Sequence, residues 1–262
     1  MSRAIHAVSK AGRRQWVARR DPGIPFQGSE ATMEQDASAK RQVDEDQAMK
    51  SAMEKMAPSY DSYMRTMTLG RERALRELTV NLAGVKPGDC VLEVGCGTGT
   101  LTLAAKRQAG PAGKVYGIDV IPQMIELSQR KAAQANLDVT FQAGSIDEIP
   151  FPSHQFDVVM CSFMIFHMSD GVRRKGITEI YRVLKPGGRW LALDLALPAQ
   201  PIQRTIAQKL LGGMLEHDLR ELLPLMTAAG FADVEVASVK FRILGLSVLA
   251  AARGSARKDG TV

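Results

Sequence analysis

The chain has 262 residues, of which 45% are hydrophobic and 24% are charged, and this length predicts one substantial core in one domain with extensions. No apolar run approaches the roughly 20 residues that a membrane-spanning helix needs, so we expect a cytoplasmic protein that is at most peripheral to a membrane. The three cysteines form no Cys-x-x-Cys pair and the four histidines no cluster, so neither a disulfide scaffold nor a metal site is expected.

The formal net charge of +6 is concentrated at the N-terminus. Residues 1–20 carry six Arg or Lys side chains and no acid, so the rest of the chain is neutral. Because a nucleic-acid enzyme carries its basic surface on the folded domain, we expect no nucleic-acid partner. Residues 1–45 are polar without a period, which predicts a mostly disordered arm. An organelle-targeting presequence and an electrostatic contact with anionic membrane lipid are the alternatives for residues 1–20.

Two helices are predicted before the first strand. The first begins near residue 45, ends at Pro58, and carries methionines on one face, at Met49, Met53 and Met56. We interpret this face as packing on the domain, with a cofactor contact as the alternative. The second helix is predicted at residues 71–83.

A strand, a glycine turn and a helix start follow one another at residues 90–105. The apolar run Cys90–Val94 leads directly into Gly95, Gly97 and Gly99, and a helical pattern begins at Leu101. Glycines at alternate positions let the backbone approach a ligand, and a helix N-terminus offers free N–H groups. The dinucleotide fingerprint Gly-x-Gly-x-x-Gly fails because Thr100 holds its last position, which disfavours a nucleotide-dependent oxidoreductase.

Four further strand patterns alternate with helical patterns and predict a parallel α/β sheet, at 114–119, 139–142, 156–162 and 189–195. Asp119 ends the second of them, where a carboxylate can accept hydrogen bonds from both hydroxyls of a ribose. After a helix at residues 219–229, the segments 234–239 and 244–251 are predicted to pair as an edge hairpin.

Three motifs resemble the class I S-adenosylmethionine (SAM) methyltransferases. They are Glu-x-Gly-x-Gly-x-Gly at residues 93–99, Glu148–Phe151 followed by Phe156–Val159, and the turn at residues 181–189, which is similar to that of the ubiquinone and menaquinone C-methyltransferases. The resemblance covers about residues 60–194. It implies a Rossmann-like, seven-stranded, mostly parallel sheet with helices on both faces and a C-terminal antiparallel hairpin, within a domain at 46–253 that is followed by a tail at 254–262.

The resemblance also implies SAM as cofactor and S-adenosylhomocysteine as product. Glu93 is expected near the methionine end of SAM, Asp119 at the ribose and Val120 beside the adenine. The third motif departs from the family, because Gly144-Ser145 stands where Gly-Asp is usual, and Asp147 is a substitute for the missing acid. The predicted cofactor residues are Glu93, Gly95, Cys96, Gly97, Thr98, Gly99, Asp119, Val120, Gly144, Ser145, Ile146 and Cys161.

Acceptor chemistry is expected at the end of the fourth strand. There His167 stands between Phe166 and Met168, and a neutral imidazole can accept a proton near pH 7, although a packing role is the alternative. In the resembling family a Tyr-Asp pair caps the pocket, which assigns Tyr60 a catalytic position and residues 46–83 a capping role. Residues 196–216, with apolar side chains at Ile202, Ile206, Leu210 and Met214, are predicted either to form a lid or to dock on the core.

These features predict a SAM-dependent methyltransferase acting on a small apolar acceptor, such as a quinone precursor, a lipid-like molecule or a secondary metabolite. Carbon, oxygen and nitrogen acceptors are all open. Phospholipid N-methylation is the nearest alternative. A non-catalytic SAM-fold partner subunit and a nucleotide-dependent oxidoreductase are alternatives of other classes.

Overall fold

The computed structural model describes residues 47–198, 200–211, 215, 218–244 and 246–257. The arm predicted at residues 1–45, Met214 and the end of the predicted tail at 258–262 lie outside these residues. Among the helices that are described, none is long and apolar enough to cross a membrane.

The described residues form one mixed sheet of seven strands with the order β3-β2-β1-β4-β5-β7-β6. Strands β1 to β5 pair in parallel, and β7 is antiparallel to both β5 and β6. The predicted Rossmann-like sheet is therefore confirmed. The strands are β1 (Cys90–Val94), β2 (Lys114–Asp119), β3 (Thr140–Ala143), β4 (Phe156–Ser162), β5 (Leu184–Leu195), β6 (Phe231–Ser238) and β7 (Leu249–Ala256).

Helices cover both faces of the sheet, as the alternating pattern predicts. The first, α1, is described at residues 47–56. The others are α2 (Tyr60–Met67), α3 (Glu72–Leu82), α4 (Thr100–Ala109), α5 (Pro122–Gln134), α6 (Asp170–Val183), α7 (Pro201–Leu211) and α8 (Leu222–Ala229), with 3-10 turns at Ala57–Ser59, Ile165–His167 and Leu219–Glu221.

Alternation along the strands divides the core into two layers. On one face Met160 of β4 packs in a cluster with Leu75 of α3 and Leu101 of α4. On the other face Val159 packs in a cluster with Ile177 of α6. The strand order reverses between β1 and β4, and such a switch point opens a crevice at the carboxyl ends of the strands, where ligands bind in open α/β sheets.

The C-terminal hairpin differs from the prediction in its bounds. β7 begins at Leu249 rather than at residue 244, and it continues to Ala256, into the predicted tail. The early start is wrong because Leu244 has a φ of +47°, which does not fit an extended strand, and Ile243 and Leu246 form a tight bridge instead. β7 extends beyond its predicted end because it pairs with the whole length of β5, in which Arg189 lies opposite Ser255.

The apolar face predicted for α7 is largely exposed and is not packed on the core formed by the described residues. Ile202 is 77% exposed and Leu210 is 60% exposed, whereas Ala207 and Leu211 are buried in the core. The docking face is thus offset by one residue from the predicted stripe, which turns it by about 100° around the helix. Helix α7 thus contacts the core through Ala207 and Leu211 rather than through the predicted residues, and the lid at residues 196–216 stays a prediction.

Candidate functional site

A cavity of about 410 Å³, called the cleft here, opens at the carboxyl ends of β1, β2 and β4. Its wall has two parts. The glycine-loop half consists of Gly95, Gly97, Asp119, Val120, Gly144, Ser145, Ile146 and Asp147, and the methionine half consists of Met49, Met53, Met164, His167, Met168 and Val172. Tyr60, Ser162 and Phe163 also line the cleft, so both predicted catalytic side chains face the same space.

The turn after β1 brings main-chain atoms to the cleft wall. Gly97 has a φ of +50°, and a Cβ there would lie 3.7 Å from the Tyr60 ring. Tyr60 therefore stands directly against the turn, and ring and backbone border the cleft side by side.

Asp119 holds the glycine turn in place. One carboxylate oxygen accepts a hydrogen bond from the Gly97 N–H at 2.8 Å, and the other accepts one from the Ile121 N–H at 3.0 Å. Burial raises the pKa of this carboxyl, and the backbone N–H groups of Gly97, Ile121 and Val120 act in the opposite direction. A carboxylate has about four lone-pair sites, so acceptor capacity is left for two ribose hydroxyls. The residues present thus fit the nucleoside part of SAM.

An acid lies close to the third motif. Gly144, Ser145 and Ile146 line the cleft as predicted, and so does Asp147. The Ser145 hydroxyl donates a hydrogen bond to the Asp147 carboxylate, which also lies 3.6 Å from the Lys175 ammonium. Asp147 therefore occupies the side of the cleft where the missing motif acid was expected.

The methionine half is largely apolar and its named residues come from three elements, of which α1 also brings Gln47 and Lys50 to the cleft. Met49 and Met53 come from α1, Met164 and Met168 flank the 3-10 turn after β4, and Val172 comes from α6. Met53 also packs against the small cluster around Ile121, so this one member of the predicted methionine face both packs and lines the cleft. His167 is exposed at the mouth of this half.

Five predicted cofactor residues do not lie on the cleft wall, namely Glu93, Cys96, Thr98, Gly99 and Cys161. Strand alternation sends the Glu93 side chain under α4, where the Thr102 hydroxyl donates to it and burial raises its pKa to about 8. Cys161 is buried by the same alternation, and burial raises its pKa to about 12. The side chains of Glu93 and Cys161 therefore do not line the cleft, and a contact of either residue with the cofactor stays a prediction.

The other three shape the turn from behind. The Thr98 hydroxyl donates to Asp61 at 2.7 Å, and Asp61 pairs with Lys131 of α5 at 2.5 Å. Gly99 immediately precedes α4, and a Cβ on it would lie 2.7 Å from Ser128, while Cys96 is buried in a cluster with Phe141. These contacts give all three residues a structural role in the turn, and their contact with a cofactor stays a prediction.

The sequence reasoning missed Arg76, a guanidinium that is only 5% exposed. It lies on the buried face of α3 with Leu75, Thr79 and Val80. The signal was a cation at an apolar position of an amphipathic helix, which requires buried partners.

Comparison with known proteins agrees with this geometry. Residues 91–188 match a family described as a methyltransferase domain. The ubiquinone/menaquinone biosynthesis C-methyltransferase of Geobacter sp. (strain M21) is 32% identical over an alignment of 203 positions that covers 68% of this chain and 86% of that protein. The chain belongs to the SAM-dependent methyltransferase family.

Other relatives of this methyltransferase match over shorter regions. The demethylmenaquinone methyltransferase of Symbiobacterium thermophilum is 34% identical over 157 residues, so that the chain spans 62% of its length. A solved SAM-dependent methyltransferase from Aquifex aeolicus superimposes with a TM-score of 0.59 at 22% identity, over 77% of this chain and 97% of that one. At that identity the likeness concerns the fold.

Proposed function

We propose that this methyltransferase binds SAM in the cleft and transfers its methyl group to a small apolar acceptor, a ring carbon of a quinol. The observation that carries the proposal is the continuity of the two halves, because one cavity joins the glycine turn and Asp119 to a methionine-rich wall. Relatives that methylate demethylmenaquinone by their names support the acceptor class.

In this proposal the glycine-loop half holds the cofactor. Asp119 accepts the ribose hydroxyls, Val120 and Ile146 flank the adenine, and the turn at Gly95 and Gly97 receives the methionine end. SAM supplies a methyl group that its sulfonium already activates, so the protein chiefly has to position an acceptor and exclude water. Positioning of this kind supplies on the order of 7 to 11 kcal/mol of a barrier.

The methionine half holds the acceptor. Thioether side chains are unbranched and polarizable, and they pack favourably against aromatic rings of different shapes. His167 accepts the proton of a quinol hydroxyl, and the electron density released into the ring makes the neighbouring carbon the nucleophile. This carbon forms its bond to the methyl group as the bond from that methyl to the cofactor sulfur breaks, which leaves a neutral ketone on the ring. The methylated carbon then releases its proton to water and the ring oxygen regains a proton from His167, so that one proton is released overall and the aromatic ring is restored.

The test uses the full chain with SAM carrying a labelled methyl group and with a reduced, short-chain demethylmenaquinone. We expect S-adenosylhomocysteine to accumulate with the acceptor, with the label on a ring carbon. A parallel reaction contains phosphatidylethanolamine vesicles. Label on the phospholipid alone would overturn the quinol proposal in favour of N-methylation, and SAM binding without methylation of any acceptor would favour a non-catalytic subunit. Absence of SAM binding in calorimetry would contradict the cofactor proposal itself.

A further inference from the structure

Most of the large apolar side chains that the described residues expose lie in two short stretches. Leu69, in the turn after α2, is 63% exposed, and Ile202, Ile206 and Leu210 form one exposed stripe along α7. Val120, which is also exposed, belongs to the wall of the cleft. Single exposed apolar residues are ordinary, but a stripe of three on one helix marks a surface that binds something.

Leu69 is held in an unfavourable backbone conformation as well as in water. Its φ of +53° lies in the left-handed region, which glycine usually occupies at the end of a helix. The Gly70 N–H fixes the turn by donating to the Arg65 carbonyl at 2.7 Å. Because neither the strain nor the exposure of Leu69 stabilises the fold, this side chain is a candidate for a function.

Three segments meet at the edge of the sheet where the cleft opens. Helix α7 follows the carboxyl end of β5, which runs parallel to β4. The segment 239–248 precedes β7 and reaches the same edge, because Leu249 lies opposite Leu195 at the end of β5. The Leu244 N–H donates to the Met67 carbonyl at 3.0 Å, which joins this segment to the turn after α2. The stripe on α7 and the turn at Leu69 are therefore at the side of the molecule that holds the cleft.

The same three segments carry cations and no acid, and together they are called the basic surface here. The guanidinium carbon of Arg71 lies 4.8 Å from the centre of the Phe241 ring, which holds this charge at the surface. The exposed cations are Arg65, Arg71, Arg204, Lys209, Lys240 and Arg242, whereas residues 62–71, 195–215 and 239–248 contain no Asp or Glu.

Aliphatic side chains among cations match an anionic membrane surface better than other partners. Such side chains enter the boundary between headgroups and acyl chains, while Lys and Arg attract anionic headgroups. Protein–protein interfaces are depleted in lysine, and single-stranded nucleic acid stacks on aromatic rather than aliphatic side chains. The charge and the apolar stripe together therefore favour lipid.

We propose that the basic surface docks on anionic lipid, with Leu69, Ile202 and Leu210 inserted below the headgroups, and so turns the mouth of the cleft toward the membrane. The inference goes beyond the proposed function, because docking does not depend on which acceptor is methylated. It assigns a membrane contact to the folded domain, whereas the sequence suggested one only for residues 1–20. An acceptor dissolved in lipid then has a short path to the methionine half.

The first test measures cosedimentation of the full chain with vesicles of phosphatidylcholine alone or mixed with phosphatidylglycerol. We expect the wild type to bind the mixed vesicles more tightly, because only these are anionic. A variant that combines Ile202→Gln with Leu210→Gln should bind the mixed vesicles at least about tenfold more weakly, since it loses two inserted side chains. Both parent side chains are mostly exposed, so the variant should fold.

The second test removes charge from the basic surface. Lys240→Gln combined with Arg242→Gln should weaken binding to the mixed vesicles by about 10- to 30-fold. The matched control combines Lys86→Gln with Lys114→Gln, which removes two exposed cations at the opposite edge of the sheet, before β1 and at the start of β2. The control should lose less than about twofold, because salt screens charges that lie far from the lipid.

An equal loss in the control would overturn the proposal, since net charge alone would then explain binding. Full binding by both variants would overturn it too and would favour residues 1–20 as the contact. A wild type that binds neither kind of vesicle would also contradict docking, and a dimer that Ile202→Gln with Leu210→Gln dissociates would then assign the stripe to a second copy of the chain. If that variant does not fold, the charge variant decides. Methyl transfer to a soluble acceptor without vesicles tests the proposed function separately.

Discussion

In the glycine-loop half of the cleft, main-chain N–H groups donate hydrogen bonds to a carboxylate, and these bonds fix both partners. The wall of the methionine half consists mainly of flexible apolar side chains. Asp119 fixes two backbone N–H groups, and Thr98 and Asp61 fix the turn from behind. Met49, Met164 and Met168 come from separate elements, and each has three rotatable side-chain bonds. We infer that the first half is built for one ligand and that the second adapts to its ligand.

The largest expected effect tests whether chemistry is confined to the methionine half. His167→Gln should lower kcat by about 10²- to 10⁴-fold, the usual contribution of a general base, because a quinol proton then has no acceptor. The affinity for SAM should not change. His154→Gln is the control, since His154 lies at the surface and bonds the Leu184 carbonyl. Full activity of His167→Gln would remove the base from the mechanism.

The next effect concerns Glu93, which is buried beneath the glycine turn. The pKa of Glu93 in the folded state is about 8, above its ordinary value of 4.5, because of burial. The folded state therefore retains a proton that the unfolded chain releases, and stability falls as the pH rises from about 4.5 to about 8. In Glu93→Gln, the fall in the free energy of unfolding over this pH range should be smaller by on the order of 2 to 4 kcal/mol.

Urea unfolding of wild type and Glu93→Gln at pH 5 and pH 8.5 measures this difference. Asp194, whose pKa burial raises to about 7, contributes with the same sign and leaves a residual slope in both proteins. Parallel pH profiles of the two proteins would show that Glu93 is ionised in the folded state.

A smaller effect is expected at Asp119 itself. Asp119→Ala removes the proposed ribose acceptor and the hydrogen bonds from the Gly97 and Ile121 N–H groups, so the Kd for SAM should rise about 10- to 100-fold. Asp138→Ala, in the exposed loop before β3, is the control. Unaltered SAM affinity in Asp119→Ala would contradict the description of this half as a rigid cofactor site.

The smallest effect is expected from Met168→Leu in the methionine half. A swap that conserves volume in an adaptable wall should change the KM for the acceptor by less than about threefold and leave the Kd for SAM unaltered. Steady-state kinetics with acceptor chains of several lengths measures this. A change of tenfold or more would show that the wall is as closely fitted as the glycine-loop half.

Much of the fold could be predicted from local patterns. The strands β1, β2, β4 and β5 begin or end within a few residues of their predicted positions, because buried parallel strands are short apolar runs bounded by turn residues. The bounds of the C-terminal hairpin were predicted less accurately, because the length of β7 is set by pairing with β5 rather than by the composition of β7.

The residues of the site also divide into those whose place in the cleft the sequence predicted and those whose place it did not. Gly95, Gly97 and Asp119 were predictable because glycine turns and strand-end acids have fixed spacing, and all three line the cleft. Glu93 and Cys161 carry equally plausible residue types, but strand alternation turns their side chains away from the cleft. Asp147 was recognised only as a substitute, because its loop follows no fixed spacing.

By itself the sequence determined the order of strands and helices, the glycine turn and the acid at the end of β2, since each depends on neighbours in the chain. Only the tertiary structure decided that Arg76 reaches Ser162, 86 residues away in the chain, and that α7 packs through Ala207 and Leu211. The physical reason is that a buried charge or a helix face finds its partners through contacts between distant segments, which local periodicity does not encode.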